Sequence, residues 1–355
     1  MITDIRLQHF RSYADDAFEL SGGVNIIVGP NASGKTNLLE ALLVVARGVS
    51  YRANNSELIQ FEQPWARVDA HTIDGQRTIK LTAGEPRAQK SFEINGQKYY
   101  RLSLDKTLPL VLFEPQHLQL LTGRPELRRD YLDDILDQTI SSFGKLRRDY
   151  KRVLAQRNHL LKQGRKTGER QLFPWNIRLS ELGGQVAGYR TQLVKSIRES
   201  LPSIYQKISN SSAQIDASYV SGCQLDNYSD QLLHKLEDSE YRDFAQGFTS
   251  FGPHRDDLQV QLNNHLAQAS ASRGETRTLI LALKMIELEQ IENQRKQKPL
   301  LLLDDVFSEL DGTRRKTLTR YLKNYQTFIT TTDADLVVHN FSQGCAILPI
   351  GKQKT

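Results

Sequence analysis

The chain has 355 residues, 39% hydrophobic and 25% charged, which reads as a globular protein large enough for one big domain or two lobes with cores of their own. Its net charge of +6 permits an anionic partner without requiring one. Only two cysteines, Cys223 and Cys345, are present, which excludes a disulfide framework or a Cys-rich zinc site.

The N-terminal Met1-Ile2-Thr3-Asp4-Ile5-Arg6 lacks a charged segment followed by an apolar core. No apolar stretch reaches the roughly 18 residues of a membrane span, so a cytoplasmic protein without a membrane partner is expected. Residues 2–28 alternate and then run apolar, which predicts two or three strands. The last, Val24 to Val28, has only Asn25 polar and reads as buried. Between the strands lies Phe10-Arg11-Ser12-Tyr13, where Arg11 reads on physical grounds as an ordinary surface arginine. Next comes Gly29-Pro30-Asn31-Ala32-Ser33-Gly34-Lys35-Thr36, which fits G-x-x-x-x-G-K-[ST]. Asn37 and the leucines after it predict a helix. Strand, glycine-rich loop and helix together make a phosphate cradle of backbone N–H groups at a helix N-terminus. Lys35 is expected to reach the β- and γ-phosphates, and Thr36 to hold Mg²⁺ through its hydroxyl.

Residues 66–100 predict antiparallel strands turning at Asp74-Gly75 and Asn95-Gly96. Leu108 to Phe113 predicts another strand, ending in Glu114-Pro115-Gln116. Apolar residues from Leu132 to Leu160, and again from Leu179 to Leu201, recur at helical spacing around a polar breaker at Gly164 to Pro174. This predicts an antiparallel helical hairpin about 50 Å long. Between Lys145 and Arg170 there are ten Lys and Arg against Asp149 and Glu169, more positive charge than the whole chain carries net. A solvated helix face tends to mix its signs, so this run predicts a phosphate-backbone contact through Lys145, Arg147, Arg148, Lys151 and Arg152. Such contact is independent of sequence and suits single- and double-stranded DNA.

Residues 210–250 are Ser-, Asp- and Tyr-rich, with one helical piece near 231–244. Phe251-Gly252-Pro253-His254-Arg255-Asp256-Asp257 reads either as a structural salt-bridge corner or as a functional turn. Ser272-Arg273-Gly274-Glu275 opens a helix and reads as a cap on its own terms. Leu300 to Leu303 followed by Asp304-Asp305 is a buried strand ending in two carboxylates, the Walker B pattern. Asp304 is expected to bind Mg²⁺, with Asp305 positioning or activating the attacking water beside Lys35. A further strand is predicted at 327–332.

Ser272-x-Gly274-Glu275 before Walker B resembles the signature motif of ABC-type ATPases, and Ser308-Glu309-Leu310-Asp311 after it resembles their D-loop. Phe10 to Tyr13, Pro125 with Arg128-Arg129, Gly252 to Asp257 and Ser272 to Arg277 extend the likeness over most of the chain. The sequence is similar to the RecF family of bacterial recombination-mediator ATPases. The resemblance implies an α/β, ABC-type ATPase head of mixed and antiparallel sheets, with an inserted helical lobe like a shortened SMC coiled coil. The expected boundaries are 1–114 with 251–355 for the head and 115–250 for the helical lobe. The resemblance further implies ATP and Mg²⁺ as ligands and ATP-dependent homodimerisation on gapped DNA or single–double-strand junctions. Slow, DNA-stimulated hydrolysis and the partners RecO and RecR in recombinase loading are also implied. In that scheme Arg11 approaches the nucleotide, Gln116 lies near the Q-loop, and Ser272, Gly274 and Glu275 of one copy close on the nucleotide of the other. Asp305 stands where many ABC ATPases have Glu, which fits slow turnover. The rival expectations are a transporter-type ATPase subunit and a nucleotide-gated scaffold without a DNA role.

Overall fold

Helix α1 (Lys35–Arg47) is buried nearly all the way round, from Leu38 to Ala46. A helix apolar on every side must lie inside a core. In the computed structural model, α1 packs against strands of two different sheets. The structure describes residues 1–333 and 345–351, apart from the side chains of residues 166, 167, 169, 170 and 308. The chain divides into two units, Met1–His117 with Ile291–Thr355, and Leu118–Gln290.

In the first unit, an antiparallel sheet runs in the order β2-β1-β4-β5-β6-β7. Its strands are β1 (Ile2–Phe10), β2 (Tyr13–Glu19), β4 (Trp65–Thr72), β5 (Gly75–Thr82), β6 (Gln89–Ile94) and β7 (Gln97–Tyr99). Ile5 and Leu7 of β1, Val68 and Ala70 of β4, and Ile79 and Leu81 of β5 join α1 in one core. The predicted turn at Asn95-Gly96 is a two-residue hairpin loop with both residues at positive φ, 51° and 81°. That is the backbone which matches the twist of the flanking strands. The second sheet is parallel, in the order β14-β3-β13-β12-β8. It comprises β3 (Val24–Val28), β8 (Leu110–Phe113), β12 (Leu300–Asp304), β13 (Thr327–Thr331) and β14 (Cys345–Pro349). β3, β12 and β13 are buried almost without interruption, as expected of a parallel sheet. Helix α9 (Gly312–Leu322) follows β12, its N-terminus capped by Asp311 accepting from the Arg314 N–H.

The second unit is mainly helical: α2 (Pro125–Thr139), α3 (Phe143–Lys162), α4 (Arg165–Ser209), α5 (Tyr228–Asp238) and α6 (Glu240–Gln246). The expected hairpin is formed by α3 and α4, with Phe143 edge-on to Tyr189 at one end and Leu160 against Leu172 at the other. The expected breaker at 164–174 is much shorter. Only Gln163 and Gly164, the latter at φ 85°, separate the helices, and Pro174 lies inside α4. Leu172 and Trp175, packed on Leu160 and Leu161, hold the helix through the proline.

The boundary expected at 251 is corrected. Residues 251–290 belong to the second unit, because β10 (Asp257–Leu262) pairs antiparallel with β9 (Ile215–Val220) from Asp257↔Val220 to Leu262↔Ile215. β9 lies in the stretch for which only a helix was expected. β11 (His265–Leu266) completes this sheet across a turn in which Asn263 and Asn264 both take positive φ. The short α7 (Ala267–Ser270) leads to α8 (Arg273–Arg295).

Candidate nucleotide-binding site

The loop Gly29 to Thr36 leaves β3 and enters α1. Gly34 sits at φ 103°, and its carbonyl accepts from Tyr13 Oη at 3.0 Å. Gly29 has no room for a side chain: an added Cβ would lie 2.4 Å from the Ile350 carbonyl and 2.5 Å from Ser33 Oγ. Pro30, Asn31 and Ala32 are exposed at the loop's rim, with Ala32 in the left-handed region. The Lys35 side chain is folded under the loop, its ammonium donating to the carbonyls of Gly29 at 2.8 Å and Pro30 at 3.0 Å. Ser33 Oγ is buried without a hydrogen-bond partner. An ammonium on its own loop and an orphaned hydroxyl are what a phosphate would engage, so the residues fit the group.

Asp304 ends β12 facing this loop. Its Oδ1 accepts from Thr36 Oγ1 at 3.0 Å and from Thr330 Oγ1 at 2.8 Å, and its Oδ2 lies 3.5 Å from Tyr51 Oη. The two residues expected to hold Mg²⁺ are therefore in contact, although 268 positions apart. Among the described residues no cluster of three or more His, Cys, Asp or Glu is placed to hold a metal. Thr36 and Asp304 fit a cation that takes its other ligands from phosphate and water, as Mg²⁺ does. Asp305 is left-handed at φ 50° and donates its backbone N–H to Thr330 Oγ1 at 2.9 Å. Burial, and then the neighbouring Asp304 charge, raise its carboxyl above the ordinary value, with Lys35 opposing. The Tyr51 hydroxyl is pushed up chiefly by burial, then by Asp304.

Arg11 is no ordinary surface arginine. At φ 54°, it grips fully buried Glu40 of α1 through Nε at 2.7 Å and a terminal nitrogen at 3.1 Å. Ser50 Oγ also donates to Glu40, and Arg52 lies 3.7 Å away. Asn37 links the same layer, donating to Ser12 Oγ at 2.8 Å and accepting from Arg52 at 3.0 Å. A hollow of about 740 Å³ opens beside it, lined by Arg11, Ser12, Asn37, Ile59, Phe61 and Glu62 among others. Sequence reasoning missed Glu40, Tyr51 and Thr330, and named Tyr13 only as part of Phe10 to Tyr13. Of the three missed, Glu40 left a trace, as a lone acid within the leucines of α1.

In the second unit, Ser272 and Glu275 form a capping box at the start of α8. Ser272 Oγ accepts the Glu275 N–H at 3.3 Å, and the Ser272 N–H donates to the Glu275 carboxylate at 2.9 Å. Hydrogen bonding to the carboxylate from the Ser272 side chain, and then from its backbone N–H, holds the Glu275 carboxyl below its ordinary value. Ser272 and Arg273 are exposed, with Gly274 half-buried. The Ser308 side chain, expected in the D-loop, lies outside the described residues.

Of the basic run, Lys145, Arg148, Lys151 and Arg152 are exposed on α3. Arg147 is half-buried and paired with Asp137 at 2.5 Å, so its charge is already matched within the fold. Arg157 is fully buried, bonded to Asp243, Thr249 and Asn176. The side chains of Lys166 and Arg170 lie outside the described residues. Gly252 to Asp257 is a structural corner. Asp257 takes a two-pronged ion pair from Arg128, Asp256 accepts from Tyr219 and Tyr228, and His254 Nδ1 meets Tyr150 Oη at 2.7 Å. Gln116 bonds to neighbouring Glu114.

A P-loop and a Walker B aspartate at the carboxyl ends of strands in one parallel sheet, with an antiparallel sheet across α1, define a P-loop ATPase head of the ABC type. The model of the RecF/RecN/SMC N-terminal domain matches residues 1–349. A "DNA replication and repair protein RecF" from Heliobacterium modesticaldum is 36% identical over 352 residues, covering 96% of this chain and 94% of its own. A solved structure of "the recombination mediator protein RecF-ATPrS in RecFOR pathway" superposes with TM-score 0.87 at 29% identity, covering 100% of this chain and 98% of that one. The Smc head domain of Pyrococcus furiosus, at 17% identity and TM-score 0.50 over 96% of this chain and 91% of that one, shares the fold. The chain belongs to the RecF family. No helix among the described residues is long and apolar enough to cross a membrane.

Proposed function

We propose that this chain is an ATP-hydrolysing, DNA-binding protein of replication and recombinational repair. In this reading it dimerises with ATP on gapped DNA and works with RecO and RecR in loading recombinase. The observation that carries the nucleotide half is the meeting of Thr36 with Asp304 beneath a loop whose lysine and buried serine await an anion. The names of its relatives, replication and repair proteins, carry the DNA half.

The loop N–H groups and Lys35 bind the triphosphate, and the hollow beside Arg11 and Asn37 takes the nucleoside end. Thr36 and Asp304 hold Mg²⁺, which supplies neutralisation of charge on the phosphate oxygens. Asp305 accepts a proton from water as hydrolysis proceeds. Ser272 and Gly274 of a second copy close the site, so that ATP joins two chains and hydrolysis parts them. This assigns slow turnover to a reset step.

Light scattering of the intact chain tests the reading. With ATP and Mg²⁺ at micromolar protein the mass should double, and with ADP it should not. A Lys35→Met variant should bind no ATP and stay monomeric. A wild-type chain that remains monomeric with ATP and Mg²⁺ would sink the composite site.

A further inference from the structure

The order β3-β13-β12 sets the end of β13 between the P-loop strand and the strand that carries Asp304. Thr330 stands there, fully buried. Its Oγ1 accepts the Asp305 N–H at 2.9 Å and lies 2.8 Å from Asp304 Oδ1. The alternative acceptor, the Leu303 carbonyl, is at 3.5 Å, the margin of a hydrogen bond. A hydroxyl has one proton, so the geometry directs it to Asp304. The same oxygen thus restrains both carboxylate residues of the site, one through its side chain and the other through its backbone.

Two further facts make that restraint matter. Asp305 is held at φ 50°, a region that residues other than glycine seldom occupy and that persists where the surroundings impose it. Asp304 has two other hydroxyl neighbours, but Thr36 is itself assigned to the cation and Tyr51 stands at 3.5 Å. Thr330 is the close donor with no other task. We propose that Thr330 is a positioning residue for ATP hydrolysis: its hydroxyl sets the rotation of the Asp304 carboxylate and fixes the left-handed turn from which the Asp305 side chain departs. This rests on the ATPase reading above.

Thr330→Val keeps the shape and removes the hydroxyl, and Thr330→Ser keeps the hydroxyl. Three quantities are measured: kcat and KM for ATP, the Mg²⁺ concentration giving half-maximal binding of a fluorescent ATP analogue, and affinity for that analogue in EDTA. Thr330→Val should lower kcat and raise the Mg²⁺ requirement, each by roughly 10- to 100-fold, the usual effect of removing a group that orients a metal ligand. Affinity in EDTA should stay at the wild-type level, and Thr330→Ser should restore both losses. Thermal melts check that the variants fold, and Thr330→Ala is scored the same way where the valine variant does not. Wild-type kcat and Mg²⁺ dependence in a folded variant without the hydroxyl overturns the proposal, as does a loss that serine fails to restore. A wild-type chain that binds no analogue overturns the ATPase reading itself, a separate outcome.

Discussion

In the proposed reaction, Lys35 and Asp305 set the chemistry at the scale of single residues. The Lys35 ammonium already has two carbonyl acceptors, which replace part of the water it leaves on burial. A phosphate would offer it charge as well as acceptors, so the loop is ready to exchange partners. Asp305 differs, because burial and Asp304 both oppose its ionisation. A carboxyl raised toward working pH is a better proton acceptor than one far below it. Asp305→Asn should therefore bind ATP, lose about 100-fold or more in hydrolysis, and persist as the ATP-bound dimer. In the wild type, the acid limb of the pH–kcat profile should fall above the ordinary carboxyl value of 3.8, since Asp305 as the proposed base works only when ionised and its value is raised. Single-turnover hydrolysis across pH checks both. Loss of ATP binding in the asparagine variant would instead make Asp305 a binding residue.

At the scale of elements, the hairpin and the corner at Gly252 are held by buried polar groups rather than by apolar packing alone. Arg157 is fully buried against equally buried Asp243, an arrangement whose disruption from one side leaves an uncompensated charge. His254 is enclosed between Tyr150 and the Thr249 carbonyl, and burial lowers its value to about 4. The sign follows from linkage. Between about pH 4 and pH 6.5 the unfolded imidazole is protonated and the folded one is not, so stability falls as pH falls through that window. From pH 7 to pH 5 the loss attributable to His254 is about 2 kcal/mol. Asp256, whose value burial raises, works in the opposite direction, so the comparison is made between wild type and His254→Gln. Urea unfolding at the two pH values should show a shallower loss in the glutamine variant. Equal loss in both would remove His254 as the source.

For the molecule as a whole, the question is where its positive charge is available. The basic run from Lys145 to Arg170 exceeds the net charge of the chain, yet Arg147 and Arg157 are engaged inside the fold. Lys145, Arg148, Lys151 and Arg152 remain exposed on α3 as the candidate DNA contacts. Reversing two of them, Arg148→Glu with Lys151→Glu, should weaken binding to duplexes of any sequence. It should also flatten the dependence of log affinity on log salt by about 0.9 for each phosphate that is no longer neutralised. Titration of labelled duplex at several salt concentrations reads this directly. An unchanged slope would place the DNA surface elsewhere, whereas Arg147→Ala should act on stability before it acts on DNA.

The nucleotide loop was legible in the sequence because its chemistry is local. Eight consecutive residues carry the backbone freedom, the ammonium and the hydroxyl, and the buried strand before them announces itself by lacking polar groups. The same holds for the Asn95-Gly96 turn, the two leucine-spaced helices and the carboxylates after Leu303. Tertiary structure alone decided what those residues touch. Glu40 meets Arg11 across 29 positions, Thr330 reaches Asp304 across 26, and β9 claims β10 from beyond two helices. Spacing cannot reveal such pairs, because an isolated threonine or arginine has many ways to be satisfied and burial selects one. Packing likewise moved the unit boundary from 251 to 290, paired half-buried Arg147 with Asp137 and took buried Arg157 out of the basic face, since a charge that leaves water needs a partner inside the fold.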